Sequence, residues 1–293
     1  MTFLSYFISG LALGSVYAII ALGYTMVYGI AKMLNFAHGD IIMAGGYVAF
    51  YACTKFNFPW WLCIVASVLS CIVIGVLVER LAYKPLRTAS SLSVLITAIG
   101  VSYFLQNSAQ LLFGSDTKIF PSLLTEGSLK LFDGQLTISY LTIITIISCL
   151  LIMVCLTLFI NKTKTGKAMR ACAEDKGAAQ LMGINIDTTI SITFAIGSGL
   201  AAIASVLLCS TYPSLSPTLG SMPGIKAFTA AVFGGIGSIP GALLGGLLLG
   251  IIENLTKAYI STQLSDAIVF AVLIVVLLIK PAGLLGKKEV EKV

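Results

Sequence analysis

The chain has 293 residues, of which 58% are hydrophobic and only 10% carry a charge. Soluble globular domains carry charges on about a quarter of their residues, so a soluble protein this poor in charge could not cover its surface. The composition therefore excludes a soluble fold and predicts an all-α protein that crosses the lipid bilayer several times. The net charge of +6 does not indicate nucleic-acid binding, because the basic residues lie in loops between apolar runs.

Five apolar runs are long enough to cross about 30 Å of hydrocarbon as helices. They cover residues 3–30, 59–78, 91–113, 136–160 and 188–211, and a shorter run covers 264–280. The first run begins in the uncharged stretch MTFLSYFISG, which predicts a membrane span and not a cleaved signal peptide.

The basic residues between these runs predict the orientation of the chain, because cytoplasmic loops are enriched in Lys and Arg. Twelve of the 18 Lys and Arg residues lie in 79–90, 161–187 and the tail beyond 279. These segments, the C-terminus included, are therefore expected in the cytoplasm. Segments 114–135 and 212–223 are expected outside, while the side of the N-terminus stays open.

Two stretches, 29–55 and 224–263, do not fit a count of simple spans. The first contains LNFAHGDIIMAGGY and the second contains GGIGSIPG, so glycine, proline and polar residues interrupt apolar sequence in both. We expect a broken or re-entrant helix in each stretch, which gives about eight membrane segments in total. Irregular backbone at membrane depth is tolerated only where it is buried in protein or lines a watery cavity.

Discontinuous helices in corresponding positions of two halves are typical of a transporter's substrate path. The predicted path residues are Asn35, His38, Asp40, Gly234, Gly235, Gly237 and Ser238. Alternatives stay open for each group. Asn35 is better explained as a helix cap than as a ligand, and the glycines as sites of close helix packing. His38 and Asp40 are explained equally well as partners that brace the helix break and as contacts to the substrate.

Motifs for catalysis or nucleotide binding are missing from the sequence. The stretches KTGKAM and GLLGKK lack the G-x-x-x-x-G-K-[ST] spacing that holds phosphates. His38 is the only histidine, and residues two apart on a helix point to different faces, so a relay from His38 to Asp40 is disfavoured. We therefore expect a protein that is not an enzyme and that has no metal site or cofactor of its own.

The loop 162–187 is the longest predicted cytoplasmic segment. Its stretch from Gly166 to Leu181 is rich in alanine with interspersed charges, and Gly183 lies where a helix C-cap is expected. This pattern predicts one short exposed helix between two spans. Most connections are shorter, so the length of this one favours a docking helix for a soluble partner.

Three strings together resemble the permease subunit of branched-chain amino acid ABC importers. They are LNFAHGDIIMAGGY, RACAEDKGAAQLMGIN and KAFTAAVFGGIGSIPGALLGG, and the resemblance continues through KPAGLLG near the C-terminus. It implies a single permease domain over 1–293 that moves leucine, isoleucine or valine inward across the bacterial inner membrane. It also implies a homologous second permease, two ATP-binding subunits that hold the ATP, and an extracytoplasmic substrate-binding protein.

ABC importer permeases carry an E-A-A-x-x-x-G motif that enters a cleft of the ATPase, and GAAQLMG resembles it with Gly177 in place of the glutamate. The resemblance makes the loop 162–187 a coupling loop. The coupling residues that it implies are Arg170, Glu174, Asp175, Ala178, Ala179 and Gly183.

Two other functions fit the same sequence. Permeases for urea and short-chain amides have a very similar pattern. An ion-coupled secondary transporter could use a proton relay through Asp40, His38 and Glu253. Against that alternative, Glu253 and Asn254 lie near the end of a span, where interfacial side chains are expected.

Overall fold

The structure is a computed structural model that describes residues 2–122, 127–131 and 136–286. The tail residues Lys287, Lys288 and Lys292, which contribute to the predicted orientation, lie outside the described residues. Most of the described chain is helical. The helices are α1 (Thr2–Ala31), α2 (His38–Thr54), α3 (Trp60–Val78), α4 (Ser91–Phe113), α5 (Tyr140–Lys162), α6 (Lys164–Glu174), α7 (Lys176–Leu181), α8 (Ile186–Thr211), α9 (Ser221–Gly234), α10 (Ile239–Tyr259) and α11 (Ser265–Ile279).

Short irregular elements join these helices. A π-helix (Glu79–Tyr83) and a 3-10 helix (Lys84–Leu86) follow α3 directly. Strands β1 (Lys118–Ile119) and β4 (Ser214–Leu215) form one antiparallel ribbon, and strands β2 (Ser128–Leu131) and β3 (Leu136–Ser139) form another.

The structure confirms an all-α protein with several membrane spans. In the described part of the chain, six helices are long and apolar enough to cross a membrane, namely α1, α3 with its extension to Leu86, α4, α5, α8 and α10. Helix α11 is apolar but shorter, at 15 residues. Helices α2 and α9 have 17 and 14 residues. At about 1.5 Å per residue these two are shorter than about 30 Å of hydrocarbon, so neither crosses it alone.

The two short helices begin face to face. A Cβ atom built on Gly39, in the first turn of α2, would lie 2.6 Å from the carbonyl oxygen of Gly220, which directly precedes α9. Each short helix adjoins a non-helical break in the helical path. Residues 32–37 separate α1 from α2, and residues 235–238 separate α9 from α10. The predicted breaks in 29–55 and 224–263 are therefore present.

Helix α1 is the centre of the fold and is buried along most of its length. It runs antiparallel to α10, because Gly14 packs on the backbone near Gly246 and Gly10 packs on the backbone near Gly250. Small residues let membrane helices approach closely and gain dispersion contacts, which replace the hydrophobic driving force that lipid does not supply.

Two predicted boundaries were wrong. The predicted span 136–160 begins only at Tyr140, because residues 136–139 pair as strand β3 and the Ser139 hydroxyl caps α5. The single helix predicted from Gly166 to Leu181 divides into α6 and α7. Asp175 causes the division, because its side chain accepts a hydrogen bond from Ala178 N at 3.0 Å and so begins a new helix.

Candidate functional site

A cavity of about 260 Å³, here called the central cavity, lies where the N-terminal ends of α2 and α9 meet. Helices α1, α4 and α9, the start of α2 and the 32–37 break all contribute side chains. The lining residues are Tyr24, Phe36, Gly39, Asp40, Ile99, Ser102, Tyr103, Gln106, Ser221, Gly224 and Ile225. One part of the wall is aromatic and aliphatic, and the other part is a polar cluster.

Gln106 is the centre of that polar cluster. Its Nε2 atom donates to Asp40 Oδ1 at 2.9 Å and lies 3.2 Å from Ser102 Oγ and 3.3 Å from Ser221 Oγ. Asp40 is only 2% exposed and lies in the first turn of α2, where the helix dipole favours a negative charge. The cluster therefore presents a hydrogen-bonded carboxylate to a small, half-open volume.

His38 points away from the central cavity, and it is not among the residues that line it. Its ring is 1% exposed and packs edge-on against Tyr24, with the ring centroids 4.7 Å apart. Gly23 makes room for the ring, since a Cβ atom there would lie 2.5 Å from His38 Nε2. His38 and Asp40 thus occupy different faces of α2, as their spacing predicts. In the described residues no group of three or more His, Cys, Asp or Glu side chains could hold a metal ion.

Asn35 does not cap α2, so that interpretation was wrong. Ala37 occupies the N-cap position without a side-chain hydrogen bond. The Asn35 Oδ1 atom instead accepts a hydrogen bond of 2.9 Å from the hydroxyl of Tyr83, on the π-helix after α3. Tyr83 was missed in the sequence, because a tyrosine in a basic, loop-like stretch carries no signal of a buried polar contact.

The second predicted path group forms a packed turn. Gly235 and Gly237 adopt φ values of +107° and +91°, which favour glycine, and the Ser238 hydroxyl caps α10. The backbone N–H groups of Leu284 and Leu285 donate to the carbonyls of Phe233 and Gly234 at 2.9 and 2.8 Å. Residues 234–238 do not line the central cavity. Close packing accounts for them, and a place on the substrate path stays a prediction.

A second cavity, of about 530 Å³, lies at the other end of the 32–37 break. Lys32, Arg87 and Lys176 all line it, so we call it the basic cavity. Burial and the nearby Arg87 guanidinium lower the pKa of Lys176. The basic cavity shares two walls with the central cavity, since α1 and α4 contribute side chains to both. The sequence did not predict this cavity, because its lining residues come from three separate segments, 28–34, 86–95 and residue 176.

The predicted coupling residues lie together on α6, α7 and the turn that follows. Arg170 and Glu174 belong to α6, Asp175 caps α7, and Ala178 and Ala179 lie on α7. Gly183 has φ +82° and ends the helix in the left-handed conformation expected of a C-cap. The adjacent Leu181 and Met182 are 90% and 82% exposed. The loop therefore presents an exposed apolar tip at the end of α7.

A buried ion-pair cluster joins α9, α10 and α11, and the sequence did not predict it. Glu253 is only 1% exposed, so its carboxylate is enclosed by protein. A place at the depth of the membrane interface stays a prediction. Its Oε1 atom lies 2.8 Å from Lys226 Nζ and 2.6 Å from Lys257 Nζ, and its Oε2 atom accepts from the Tyr17 hydroxyl at 2.9 Å. Lys226 also pairs with Asp266 at 2.6 Å. Asn254 hydrogen-bonds the backbone of α1.

Sequence comparisons with known proteins cover nearly the whole chain. The family model described as branched-chain amino acid transport system / permease component matches residues 6–277. The high-affinity branched-chain amino acid transport system permease protein LivH of Salmonella typhimurium is 48% identical over 303 aligned positions, which cover 99% of this chain and 98% of LivH. BraD of Pseudomonas aeruginosa, a permease protein with the same description, is 46% identical over 99% of this chain and 98% of BraD. The solved structure of PsaBC from Streptococcus pneumoniae in complex with Fab aligns with a TM-score of 0.49 at 14% identity, over 94% of this chain and 91% of that one. The chain therefore belongs to the family of permease components of branched-chain amino acid transport systems.

Proposed function

We propose that this chain is the membrane-spanning permease subunit of an ABC importer that moves branched-chain amino acids inward across the bacterial inner membrane. The observation that carries the proposal is the central cavity, together with membership of the permease family. Small-molecule sites are concave and mostly apolar, with a few converging polar groups, and they start at about 300 Å³. A cavity of about 260 Å³ with one polar wall suits a small amphiphilic cargo.

The two walls of the central cavity match the two ends of such a cargo. The Asp40 carboxylate is an acceptor for the ammonium group of an amino acid. The first turn of α9, which begins at Ser221, offers a positive helix end to the carboxylate. Ile99, Phe36 and Ile225 form an apolar surface against a branched aliphatic side chain. Urea or a short amide has no comparable apolar part.

Transport by this subunit depends on partners in the proposal. ATP is bound by two separate ATP-binding subunits, and the exposed Leu181 and Met182 at the tip of α7 support docking of one of them. A homologous second permease covers the exposed apolar face of α4, which includes Leu92, Ile96 and Phe104. An extracytoplasmic substrate-binding protein delivers the cargo on the side opposite α7. The C-terminus lies in the cytoplasm together with the coupling loop 162–187.

The test is uptake by the complete complex in proteoliposomes, with this chain, a second permease, the ATP-binding subunits and a loaded binding protein. We expect uptake of labelled leucine that requires ATP and is inhibited by excess isoleucine and valine, but not by urea or acetamide. Uptake driven by an ion gradient without ATP would make the chain a secondary transporter. Inhibition of leucine uptake by urea or acetamide at similar concentrations would indicate a permease for urea or short-chain amides.

A further inference from the structure

The 32–37 break separates the two cavities. Lys32, Met33 and Leu34 line the basic cavity, and Phe36 lines the central cavity. The remaining walls are continuous, since Tyr24 and Tyr28 lie one turn apart on α1 and each faces one cavity. Movement of the break would therefore open a path between the two cavities along α1 and α4.

One side-chain hydrogen bond fixes the middle of the break. The Tyr83 hydroxyl donates to Asn35 Oδ1 at 2.9 Å, and both residues are almost completely buried. The Tyr83 ring packs against Phe194 of α8, with centroids 5.4 Å apart, so its position follows α8. The Asn35 Nδ2 atom is buried and has no hydrogen-bond partner among the described residues. Asn35 is therefore attached through Tyr83 and through its own backbone.

The π-helix that carries Tyr83 is connected to the end of the coupling loop. Glu79, at its start, is fully buried, pairs with Arg87 and accepts from the Ser191 hydroxyl at 2.7 Å. Arg87 also pairs with Asp187, which lies in the first turn of α8, four residues after Gly183. A displacement of α7 thus reaches Tyr83 through buried and charge-assisted contacts.

A second contact joins α7 to the other end of the break. Lys176, the first residue of α7, donates from Nζ to the carbonyl oxygen of Ala31 at 2.9 Å. Ala31 is the last residue of α1, directly before the break. Cations are favoured at helix C-termini, where the carbonyls have no partner in the helix. Two of the contacts that hold the break, at Ala31 and at Asn35, therefore lead to the coupling loop.

We propose that the 32–37 break is a gate between the two cavities, that the Tyr83–Asn35 hydrogen bond is its latch, and that α7 moves the gate through the Arg87 and Lys176 contacts. Tyr83 and Lys176 are then positioning residues, since they act on transport through the break and do not contact the cargo. This inference rests on the proposed function, because α7 is taken as the helix that the ATP-binding subunits move.

The experiment measures access to the central cavity from the side of the basic cavity. Ser102, on the central-cavity wall, is replaced by cysteine in a cysteine-free chain within the complete complex. A membrane-impermeant thiol reagent is added from the coupling-loop side without ATP. Loss of one buried hydrogen bond shifts an equilibrium by about three- to tenfold. We expect Tyr83→Phe to raise the labelling rate by that factor and to lower the amount of leucine transported per ATP hydrolysed.

Tyr47→Phe is the matched control. Tyr47 is equally buried and aromatic, but its hydroxyl has no hydrogen-bond partner in the part of the chain that the structure describes, and it does not line the central cavity. The labelling rate and the transport ratio of this variant should equal those of the wild type. Equal labelling of the Tyr83→Phe and Tyr47→Phe complexes would overturn the latch.

A second pair of variants serves if Tyr83→Phe does not assemble. Lys176→Met removes the bond to Ala31 from a partly exposed site, while Lys176→Arg keeps a donor. Labelling should rise in the first variant and return to the wild-type rate in the second, and equal rates in both would again contradict the gate. Absence of ATP-dependent leucine uptake by the wild-type complex would contradict the proposed function instead, so the two failures are distinguishable.

Discussion

At the scale of single residues, the three polar side chains at and just before the start of α2 have different surroundings, although they are close in sequence. Asp40 faces the central cavity and bonds Gln106, His38 packs against Tyr24 inside the protein, and Asn35 bonds Tyr83. A charged or polar group inside a membrane is costly unless it is paired or faces a wet cavity. Asp40 and Asn35 are paired through hydrogen bonds, whereas the buried Nε2 atom of His38 has no hydrogen-bond partner among the described residues. Only Asp40 is placed to meet a cargo.

This division predicts different effects for two conservative substitutions. Asp40→Asn keeps the shape and a hydrogen bond to Gln106 but removes the charge that would meet an ammonium group. Charge-assisted hydrogen bonds contribute about 1.5–3 kcal/mol, so the half-saturating leucine concentration for uptake should rise by about tenfold or more, with normal assembly. His38→Gln should reduce the amount of assembled, thermally stable complex and leave that concentration unchanged. Equal saturation curves for Asp40→Asn and wild type would remove Asp40 from the cargo site.

At the scale of elements, hydrophobicity predicts the long helices well. The run 91–113 and the run 59–78 coincide with α4 and α3 to within a residue, because a continuous apolar stretch in a membrane must satisfy its backbone internally as a helix. The two breaks were also predictable, since glycine and polar residues interrupt apolar runs there. The contacts that these breaks make with the rest of the protein could not be predicted. Tyr83 and Asn35 are 48 residues apart, and no local pattern links a hydroxyl to an amide over that distance.

The ion-pair cluster between α9, α10 and α11 provides an internally controlled test of packing. Breaking a buried pair costs about 3–5 kcal/mol when a charge is left uncompensated, whereas exposed pairs contribute at most about 1 kcal/mol. Glu253 is 1% exposed and Asp266 is 42% exposed, and both pair with Lys226. Glu253→Gln should therefore lower the melting temperature of the purified subunit much more than Asp266→Asn. Both melting temperatures are measured by thermal unfolding in the same detergent. Equal decreases would mean that solvent stabilises the lysine charges that Glu253→Gln leaves unpaired.

The turn after α7 allows a test of backbone geometry alone. A Cβ atom at Gly183 would meet nothing within 4 Å, so a side chain there is opposed only by the φ of +82°. The left-handed conformation costs an L-residue about 1–2 kcal/mol, but asparagine tolerates it better than β-branched residues do. Gly183→Val should therefore weaken copurification of the ATP-binding subunits and reduce uptake, while Gly183→Asn should remain close to wild type. Normal uptake with the valine would show that the exact path of this turn is not required for coupling.

At the scale of the whole molecule, the described chain contains two halves of similar construction and opposite direction. Each half has a long helix, a short helix and a second long helix, namely α1, α2 and α3 in one and α8, α9 and α10 in the other. The first helix of each half packs on the last helix of the other: α1 on α10 through Gly14, and α8 on α3 through Gly75 and Ser198. The short helices meet at Gly39 and Gly220. Inverted repeats place a substrate site at this kind of junction, near the bilayer midplane.

The sequence indicates this symmetry only through the positions of the two breaks, because the strings LNFAHGD and GGIGSIPG share no register. The structure explains why. In the first half the break lies before the short helix, at 32–37, and its residues line both cavities. In the second half GGIGSIPG lies after the short helix and is covered by the C-terminal segment. The two strings therefore do not occupy equivalent positions in the two halves. Each packs in different surroundings, so their residues differ.

The arrangement of the halves also predicts the side of every loop, once the coupling loop is placed in the cytoplasm. Ala31 contacts Lys176 of that loop, so α1 ends on the cytoplasmic side and its N-terminus lies outside. Single cysteines at positions 2, 115 and 262, in a chain whose seven natural cysteines are replaced, should react with an impermeant thiol reagent in intact cells. Cysteines at positions 180 and 285 should react only after the membrane is permeabilised, because Leu285 bonds the turn that ends α9, on the side of α1 that carries Ala31. Labelling of position 180 in intact cells would reverse the orientation of the whole molecule, and with it the direction from which α7 could be moved.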